Sequence, residues 1–422
     1  MPAFVRIGPG YLRMRRSIAE AGRAGPEASQ AALLRRLQAL LEHAYGRVPF
    51  YREFYDKRGF SPRELRTLDN WDMVPVVTKH DLQEHPIEAR TAKGLSGRTA
   101  NTGGTSGEPL AFLLEKNAMP VEWAHMHAIW TARGYRVNHM KLRFGGTYFP
   151  DGEPLRYHPR HNEYIVNANA DMQVVVRAVA ALPAQRIIRW LHGYPSLVAE
   201  FAHALAQLPP VTAARFRQGL AGVLLGSEYP APMYREPIEQ MLSTNIISWY
   251  GHSEMALLAH ETALGLYRSL PTYGYCEAVP AADGADHRLV CTSMHNRVHP
   301  FIRYDTGDRV EPVCASRGSL VFRISEGRIG DFIVDRQQRR LALTSIIFGR
   351  HHAAFDEVRH LQVRQDCAGR ATLLVVPRVA VRDAGGLLRG FDFSGLDVDW
   401  CVELIPAPVR TRSGKIRLKV EP

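Results

Sequence analysis

The stretch Asn101-Thr-Gly-Gly-Thr-Ser-Gly107 decides how this sequence is interpreted. Glycines allow backbone N–H groups to converge on an anion, because a positive φ costs them little free energy. The hydroxyl groups of Thr102, Thr105 and Ser106 add further hydrogen-bond donors. The stretch therefore suits the binding of a phosphate group, although a run of this composition is also typical of an ordinary flexible loop.

Three later segments follow in an order that strengthens the phosphate interpretation. They are Tyr250-Gly-His-Ser-Glu254, Arg303-Tyr-Asp-Thr-Gly-Asp308 and Arg412-Ser-Gly-Lys-Ile-Arg417. Together with the first stretch they resemble the motifs of the adenylate-forming superfamily of acyl-CoA synthetases, nonribosomal-peptide adenylation domains and luciferases. The similarity is greatest to its short branch, the phenylacetate–CoA ligases and CapK-like proteins, and it covers nearly the whole chain.

The resemblance implies a nucleotide site built from several separate segments. The first segment is a phosphate loop, and the strand and turn at 222–228 contact adenine. An aromatic ring stacks on adenine, and a carboxylate accepts hydrogen bonds from the ribose hydroxyls. In this sequence the implied nucleotide-binding residues are Thr102, Gly103, Gly104, Thr105, Ser106 and Gly107 in the loop, Ser227 and Glu228 in the turn, Tyr250 with Gly251, His252 and Ser253, Asp308 at the ribose, and Arg328.

The resemblance also implies the groups that carry the chemistry, with Lys415, Glu254 and Thr105 as catalytic residues. A compact ammonium group on a flexible stem can bridge a substrate carboxylate and the α-phosphate of ATP as charge develops. Glu254 is the implied Mg²⁺ ligand, since Mg²⁺ prefers hard oxygen ligands. ATP, Mg²⁺ and CoA are therefore the expected cofactors.

Each of these residues has an ordinary structural alternative. Glu254 could be a surface carboxylate at the end of a strand, and Lys415 could belong to a basic tail. Asp308 stands in a sequence that also suits a tight turn. Asp305 competes with it for the ribose role, and the family pattern favours Asp308.

Two positions depart from the family pattern. Glu108 stands where the phosphate loop usually has a lysine. The hinge motif usually reads Gly-Arg-x-Asp-Asp, whereas this chain has Gly327-Arg-Ile-Gly330-Asp331. Gly330 remains a permissive pivot for domain rotation.

The pocket for the acid is expected before the adenine strand. Its candidates are Phe144, Gly145, Tyr148, Tyr194 and Pro195. Aromatic residues at helical spacing are more often core than substrate pocket, so Trp123 and Trp130 are expected in the core.

Composition limits the class of protein. The chain has 422 residues, more than one hydrophobic core usually supports, and a net charge of +11. Its arginines are dispersed rather than packed into one basic face, which argues against nucleic-acid binding and favours anionic small molecules. No run of 18 apolar residues and no secretory signal are present, and the five cysteines form no C-x-x-C pair, so a cytoplasmic protein is expected.

Hydrophobic patterning predicts alternating strands and helices, and the resemblance divides them into domains. The expected α/β fold has a large N-terminal AMP-binding domain at 1–327 and a small, mobile α+β C-terminal domain at 328–422 that carries Lys415. Within the small domain the pattern predicts strands near 331–334 and 372–377 and a helix near 353–359.

The function that follows is ATP-dependent activation of a carboxylic acid through an acyl-adenylate, with transfer to CoA. An aromatic acid is expected from the family. An amide synthetase or carrier-protein loader with an amine or carrier-protein acceptor is an alternative, and so is a degenerate CapK-like protein of polysaccharide biosynthesis, which Glu108 and Gly330 keep open. The protein could also form a homodimer.

Overall fold

A computed structural model describes residues 3–101, 110–145, 147, 149–167, 170–281, 287–316, 318–326, 332–343, 346–347, 352–378, 383–410 and 416–420. Helices run α1 (Ala3–Ile7), α2 (Pro9–Ala21), α3 (Pro26–Arg47), α4 (Pro49–Asp56), α5 (Lys79–Gln83), α6 (Ala118–Thr131), α7 (Met172–Ala180), α8 (Pro195–Ala206), α9 (Pro210–Gly219), α10 (Pro232–Leu242) and α11 (Ala384–Arg389). Strands run β1 (Arg98–Asn101), β2 (Ala111–Leu114), β3 (Met140–Phe144), β4 (Leu155–His158), β5 (Glu163–Val166), β6 (Ile188–Gly193), β7 (Gly222–Leu225), β8 (Ile246–Gly251), β9 (Leu258–Ala263), β10 (Leu266–Ser269), β11 (Gly274–Pro280), β12 (His287–Ser293), β13 (Tyr304–Ser316), β14 (Ser319–Glu326), β15 (Phe332–Val334), β16 (Arg340–Ala342), β17 (Val358–Cys367), β18 (Arg370–Pro377), β19 (Asp399–Leu404) and β20 (Lys419–Val420).

By its internal contacts the chain forms two compact units. The first unit comprises Met1–Ala132 and Trp249–Ile329, and the second comprises Arg133–Ser248 and Gly330–Pro422. The predicted α/β fold is confirmed. The predicted domain boundary at 327/328 and the mobility of the C-terminal part stay predictions.

A parallel sheet forms the centre of the second unit. β5, β3, β6 and β7 pair in parallel in that order, β4 adds to β5 antiparallel, and the start of β8 pairs in parallel with β7. Apolar residues of β3, β6 and β7 face a core that includes side chains of α7, α8 and α10. Strands that are buried on both faces have continuous apolar sequences, and Val223-Leu-Leu225 is such a sequence.

The C-terminal part of the second unit contains a four-stranded sheet in the order β19-β18-β17-β20, while β15 and β16 pair separately. The strands predicted near 331–334 and 372–377 are confirmed as β15 and β18. The helix predicted near 353–359 is wrong, since this region contains one 3₁₀ turn at Ala353–Asp356 and then the start of β17. Ala353-Ala-Phe-Asp-Glu357 favours a helix locally, but the pairing of Val358 with Pro377 in the sheet ends the helical segment after one turn.

The first unit combines helices with an antiparallel sheet. The end of β8 pairs with β9, and the order continues through β10, β14, β13 and β12 to β11. Helix α6 buries Trp130 completely against Trp123 and Trp249, which confirms the expected core role of Trp130.

In the described part of the chain, every helix is too short or too polar to cross a lipid bilayer.

Gly193 gives the first test of the fold. A Cβ atom added at Gly193 would lie 1.8 Å from the carbonyl oxygen of Phe144, so β6 approaches β3 too closely for any side chain. We expect Gly193→Ala to destabilise the second unit by more than about 3 kcal/mol, because backbone atoms cannot yield as a flexible side chain can. The matched control is Gly152→Ala, where φ is +75° and no atom lies within 4 Å, with a cost of about 1 kcal/mol. Thermal unfolding measures both, and equal effects would contradict the close approach.

The buried side chain of His299 predicts that the first unit loses stability as the pH falls. Burial, assisted by the charge of Arg90, lowers the pKa of His299 to about 3. No described group lies within hydrogen-bonding distance of its ring nitrogens, and the ring packs beside Phe112 and Phe301. Because the folded pKa lies below the unfolded value, the unfolded chain binds more protons and stability falls as the pH drops from about 6.5 towards 3.

We expect His299→Phe to reduce the stability lost between pH 7 and pH 5 by about 2 kcal/mol, because the unfolded chain then has one proton fewer to bind. Urea unfolding at the two pH values measures this difference. The control is His80→Phe, at a side chain that is 80% exposed, which should keep the wild-type pH dependence. A wild-type pH dependence in His299→Phe would show that this ring does not stay neutral in the fold.

Candidate active site

The carboxyl ends of three parallel strands meet at one edge of the second unit. β3 ends at Phe144, β6 at Gly193 and β7 at Leu225, and these three residues are neighbours in the sheet register. Ligands of open α/β sheets bind beyond such ends. The predicted pocket and adenine segments therefore follow directly from these strand ends.

The predicted pocket residues take different positions at this edge. Phe144 is buried and packs against Phe201, with ring centroids 5.2 Å apart, so its side chain belongs to the core. Gly145 follows β3, Tyr194 is the half-buried residue before α8, and Pro195 is buried at the first position of that helix. Tyr148 lies outside the described residues. Their role in binding an acid stays a prediction.

Glu228 has partners that the sequence does not reveal. Its Oε2 accepts hydrogen bonds from the Ser196 hydroxyl at 2.7 Å and the Ser196 backbone N–H at 3.3 Å. Its Oε1 accepts a hydrogen bond from the Ile416 backbone N–H at 2.8 Å. Burial raises the pKa of the Glu228 carboxyl group, although these donors oppose the shift. Ser227 before it is exposed and has a φ of +71°, so the chain turns sharply after β7.

In the first unit, three predicted nucleotide residues form one hydrogen-bonded cluster. The Tyr250 hydroxyl donates to Oδ2 of Asp308. Nε2 of His252 lies 2.8 Å from both that carboxylate oxygen and the Tyr250 hydroxyl oxygen. Asp308 is only 1% exposed, whereas Tyr250 is half-buried. The cluster therefore places an oriented carboxylate and an aromatic ring side by side.

Asp305, the competing carboxylate, is engaged in local structure. Its Oδ2 pairs with Arg288 at 3.2 Å, and its Oδ1 accepts the backbone N–H of Gly307 at 3.0 Å. Gly307 has a φ of +80°, which favours glycine at this turn. These contacts assign Asp305 to the turn, and the ribose role of Asp308 stays a prediction.

Glu254 lies in the turn after β8, beyond Gly251 and Ser253, and is 2% exposed. Its charge contributes to raising the pKa of Tyr273, after burial and the nearer Glu122. The Tyr273 hydroxyl donates to Oε2 of Glu122, whose own pKa is raised by burial. Glu122 on α6 is thus a half-buried carboxylate in the neighbourhood of Glu254 that no sequence motif indicates.

The remaining predicted site residues lie outside the described residues. These are the phosphate-loop residues Thr102, Gly103, Gly104, Thr105, Ser106 and Gly107, together with Arg328, Gly330 and Lys415. Within the described ranges, no three His, Cys, Asp or Glu side chains come together as a metal-binding group. Mg²⁺ does not require such a group, because it is usually held by one or two carboxylates together with substrate phosphates. Buried Glu254 fits that donor set.

Comparison with known proteins identifies relatives of this chain. It is 26% identical to the phenylacetate-coenzyme A ligase of Escherichia coli K12 over 330 residues, which are 73% of this chain and 72% of that protein. It is 20% identical to Protein CapK of Staphylococcus aureus over 387 residues, covering 88% and 84% of the two chains. No family model matches the chain.

Among solved structures, the fold matches a 2-hydroxyisobutyryl-CoA ligase crystallised in the postadenylation state with an acyl-AMP. The TM-score is 0.68 at 20% identity, and the match covers 94% of this chain and 90% of that one. The GH3.15 acyl acid amido synthetase has the same fold, with a TM-score of 0.56 at 12% identity. The protein is accordingly a homologue of the phenylacetate-coenzyme A ligases and of CapK, with the fold of the adenylate-forming CoA ligases.

Proposed function

We propose that the protein is an ATP-dependent, AMP-forming acid–thiol ligase that makes an acyl-adenylate and transfers the acyl group to CoA. The observation that carries this proposal is the cluster of Tyr250, His252 and Asp308, which presents a ring and an oriented carboxylate suited to adenine and ribose. The relatives named as CoA ligases support the same reaction.

The reaction has two balanced steps. A carboxylate oxygen of the acid attacks the α-phosphorus of ATP, the bond to the β-phosphate breaks, and pyrophosphate leaves with an acyl-adenylate remaining. The thiolate of CoA then attacks the acyl carbon, the bond to AMP breaks, and a thioester and AMP are released. The CoA thiol loses its proton to solvent.

The residues divide the work of the first step. Lys415 would hold the substrate carboxylate and the α-phosphate together and neutralise developing charge. Asp308 would accept the ribose hydroxyls and thereby fix the position of the α-phosphate. Glu254 would hold Mg²⁺, which supplies charge neutralisation for the leaving pyrophosphate. Thr105 and the phosphate loop would donate hydrogen bonds to the phosphates.

The identities of the acid substrate and of the acyl acceptor are also part of this proposal. We take an aromatic acid as the first substrate to test, because several relatives carry the name phenylacetate-coenzyme A ligase. CoA is the expected thiol. The cytoplasmic location and the homodimer stay predictions.

Pyrophosphate release tests the proposal. We expect acid-dependent release with ATP and Mg²⁺ for at least one member of a panel containing phenylacetate, benzoate, 2-hydroxyisobutyrate and fatty acids. Lys415→Ala should slow it by about a hundredfold or more, since a charge aimed at the transition state is lost. Lys57→Ala, at a side chain that is 67% exposed, is the matched control. CoA should accelerate turnover and yield a thioester.

The other outcomes distinguish the alternatives. Release that depends on acid but not on CoA would favour an amine or carrier-protein acceptor. ATP binding without release for any acid would favour a degenerate CapK-like protein.

Tyr250→Phe tests the nucleotide cluster. The change keeps the ring but removes the hydroxyl that donates to Asp308, which leaves a buried carboxylate short of one donor. We expect the Kd for ATP to rise about tenfold or more with little change in kcat, because this contact orients the nucleotide in ground and transition state alike. Calorimetric titration and initial rates measure the two values.

The control for this change is Tyr45→Phe. The Tyr45 hydroxyl also donates to an aspartate, Asp56, at 2.8 Å, but at an exposed site. Its loss should leave ATP binding unchanged. An unaltered Kd for ATP in Tyr250→Phe would show that the cluster is not part of the nucleotide site.

A further inference from the structure

Strand β3 carries two cationic side chains on the sheet face opposite the core. Met140, Leu142 and Phe144 belong to the core, so Lys141 and Arg143, which alternate with them, lie on the other face. Lys141 is buried, whereas the side chain of Arg143 is 30% exposed near the carboxyl end of the strand. Since a lysine is almost never fully buried unless it is paired, the partners of these two cations determine what this face can bind.

One carboxylate, that of Glu163 on β5, serves both cations. Its Oε1 accepts a hydrogen bond from Nε of Arg143 at 3.0 Å, and its Oε2 lies 3.5 Å from Nζ of Lys141. Nζ of Lys141 also donates to the Tyr135 hydroxyl and to the His161 carbonyl oxygen, each at 3.3 Å. Two positive charges thus share one negative charge, which leaves one positive charge in excess.

The neighbouring ionisable groups preserve this excess charge. Burial, together with the charge of Lys141 and against that of Glu163, lowers the pKa of His161 to about 4, so its ring is neutral near pH 7. In the segment that follows β3, the exposed carboxylates of Asp151 and Glu153 both pair with Arg156. The excess positive charge therefore stays with the pair on β3.

The guanidinium group of Arg143 lies beside Gly145, one of the predicted pocket residues. A Cβ atom added at Gly145 would lie 3.6 Å from Nη1, so the absence of a side chain there leaves Nη1 uncovered on this side. A guanidinium group has five N–H donors. Among the described residues, Nε donates to Glu163 and Nη2 to the Thr147 hydroxyl at 3.4 Å, which leaves both N–H groups of Nη1 for a ligand.

Arg143 is not required to neutralise Glu163. Lys141 already lies within ion-pair distance of that carboxylate and pairs with it in the strand register. A second, half-exposed cation on the same carboxylate adds charge that the fold itself does not use. An anionic group entering beside Gly145 would compensate that charge and accept the remaining donors of Arg143.

We propose that Arg143 is a specificity-determining residue that binds a second carboxylate of the acid substrate, so that the protein activates dicarboxylic acids in preference to matched monocarboxylic acids. The parallel N–H groups of a guanidinium match the two oxygens of a carboxylate, and the excess positive charge favours an anion over a neutral polar group. This inference rests on the proposed function, because the other carboxylate of the substrate is the one that attacks ATP.

The test compares acids that differ only in the second carboxylate. Pyrophosphate release is measured with succinate, glutarate, adipate and para-phenylenediacetate, and with butyrate, valerate, hexanoate and phenylacetate as their respective partners. We expect kcat/KM for at least one dicarboxylate to exceed that of its partner about tenfold or more, because a site built for a charged group rejects the analogue that lacks it. A preference for the monocarboxylate in every pair would overturn the inference.

Arg143→Gln assigns the preference to this side chain. We expect it to raise the KM for the preferred dicarboxylate about tenfold or more, with kcat and the monocarboxylate KM changed less than about threefold. The fold should tolerate the change, because Lys141 still pairs with Glu163. An equal rise for both acids would indicate a structural role, and a rise in the KM for CoA alone would assign the guanidinium to CoA; either result would overturn the inference.

The matched control is Arg364→Gln. The Arg364 side chain is also 30% exposed and pairs with a carboxylate, Glu403 at 2.9 Å, but it lies on β17. We expect it to keep the wild-type preference between the two acids. Loss of the preference in this control would show that removing any paired arginine has the same effect, which would overturn the assignment to Arg143.

Calorimetric titration provides a readout that does not depend on turnover. With AMP present, the dicarboxylate should bind the wild type about tenfold or more tightly than it binds Arg143→Gln, and absence of binding by every dicarboxylate would overturn the inference. Binding that is weakened in the variant of a protein that activates no acid would support this anion site while rejecting the proposed function. Pyrophosphate release with monocarboxylates alone would support the proposed function and overturn this inference.

Discussion

The close approach of β6 to β3 is the constraint on which the site in the second unit depends. Gly193 brings its backbone against the Phe144 carbonyl, at a position where a Cβ would overlap that oxygen. The next strand approaches similarly, since a Cβ at Gly222 would meet the Trp190 ring at 2.3 Å. These contacts keep the ends of β3, β6 and β7 in register. The register in turn places the Ser196 and Glu228 segments next to each other, so that their hydrogen bonds can form.

The fold was predictable where apolar residues alone decide it. Val223-Leu-Leu225 is buried on both faces of a parallel sheet, and an uninterrupted apolar run ending in glycine indicates this environment without any tertiary information. Helices α8 and α10 begin with proline at or near the first position, which is a local signal. Where burial involves polar groups the pattern fails, as it does for β17 with His360 and Gln362.

In the candidate site, too, the sequence motifs indicate some residues but not the contacts between them. Asp308 and Tyr250 could be anticipated because their motifs keep the family order, but their hydrogen bond joins residues 58 positions apart and no local pattern encodes it. The family resemblance implies a nucleotide role for Glu228, whereas its carboxylate contacts Ser196 and Ile416. Glu122 gave no signal at all, since a single glutamate in a helix is usually solvated and its partner Tyr273 lies 151 positions away.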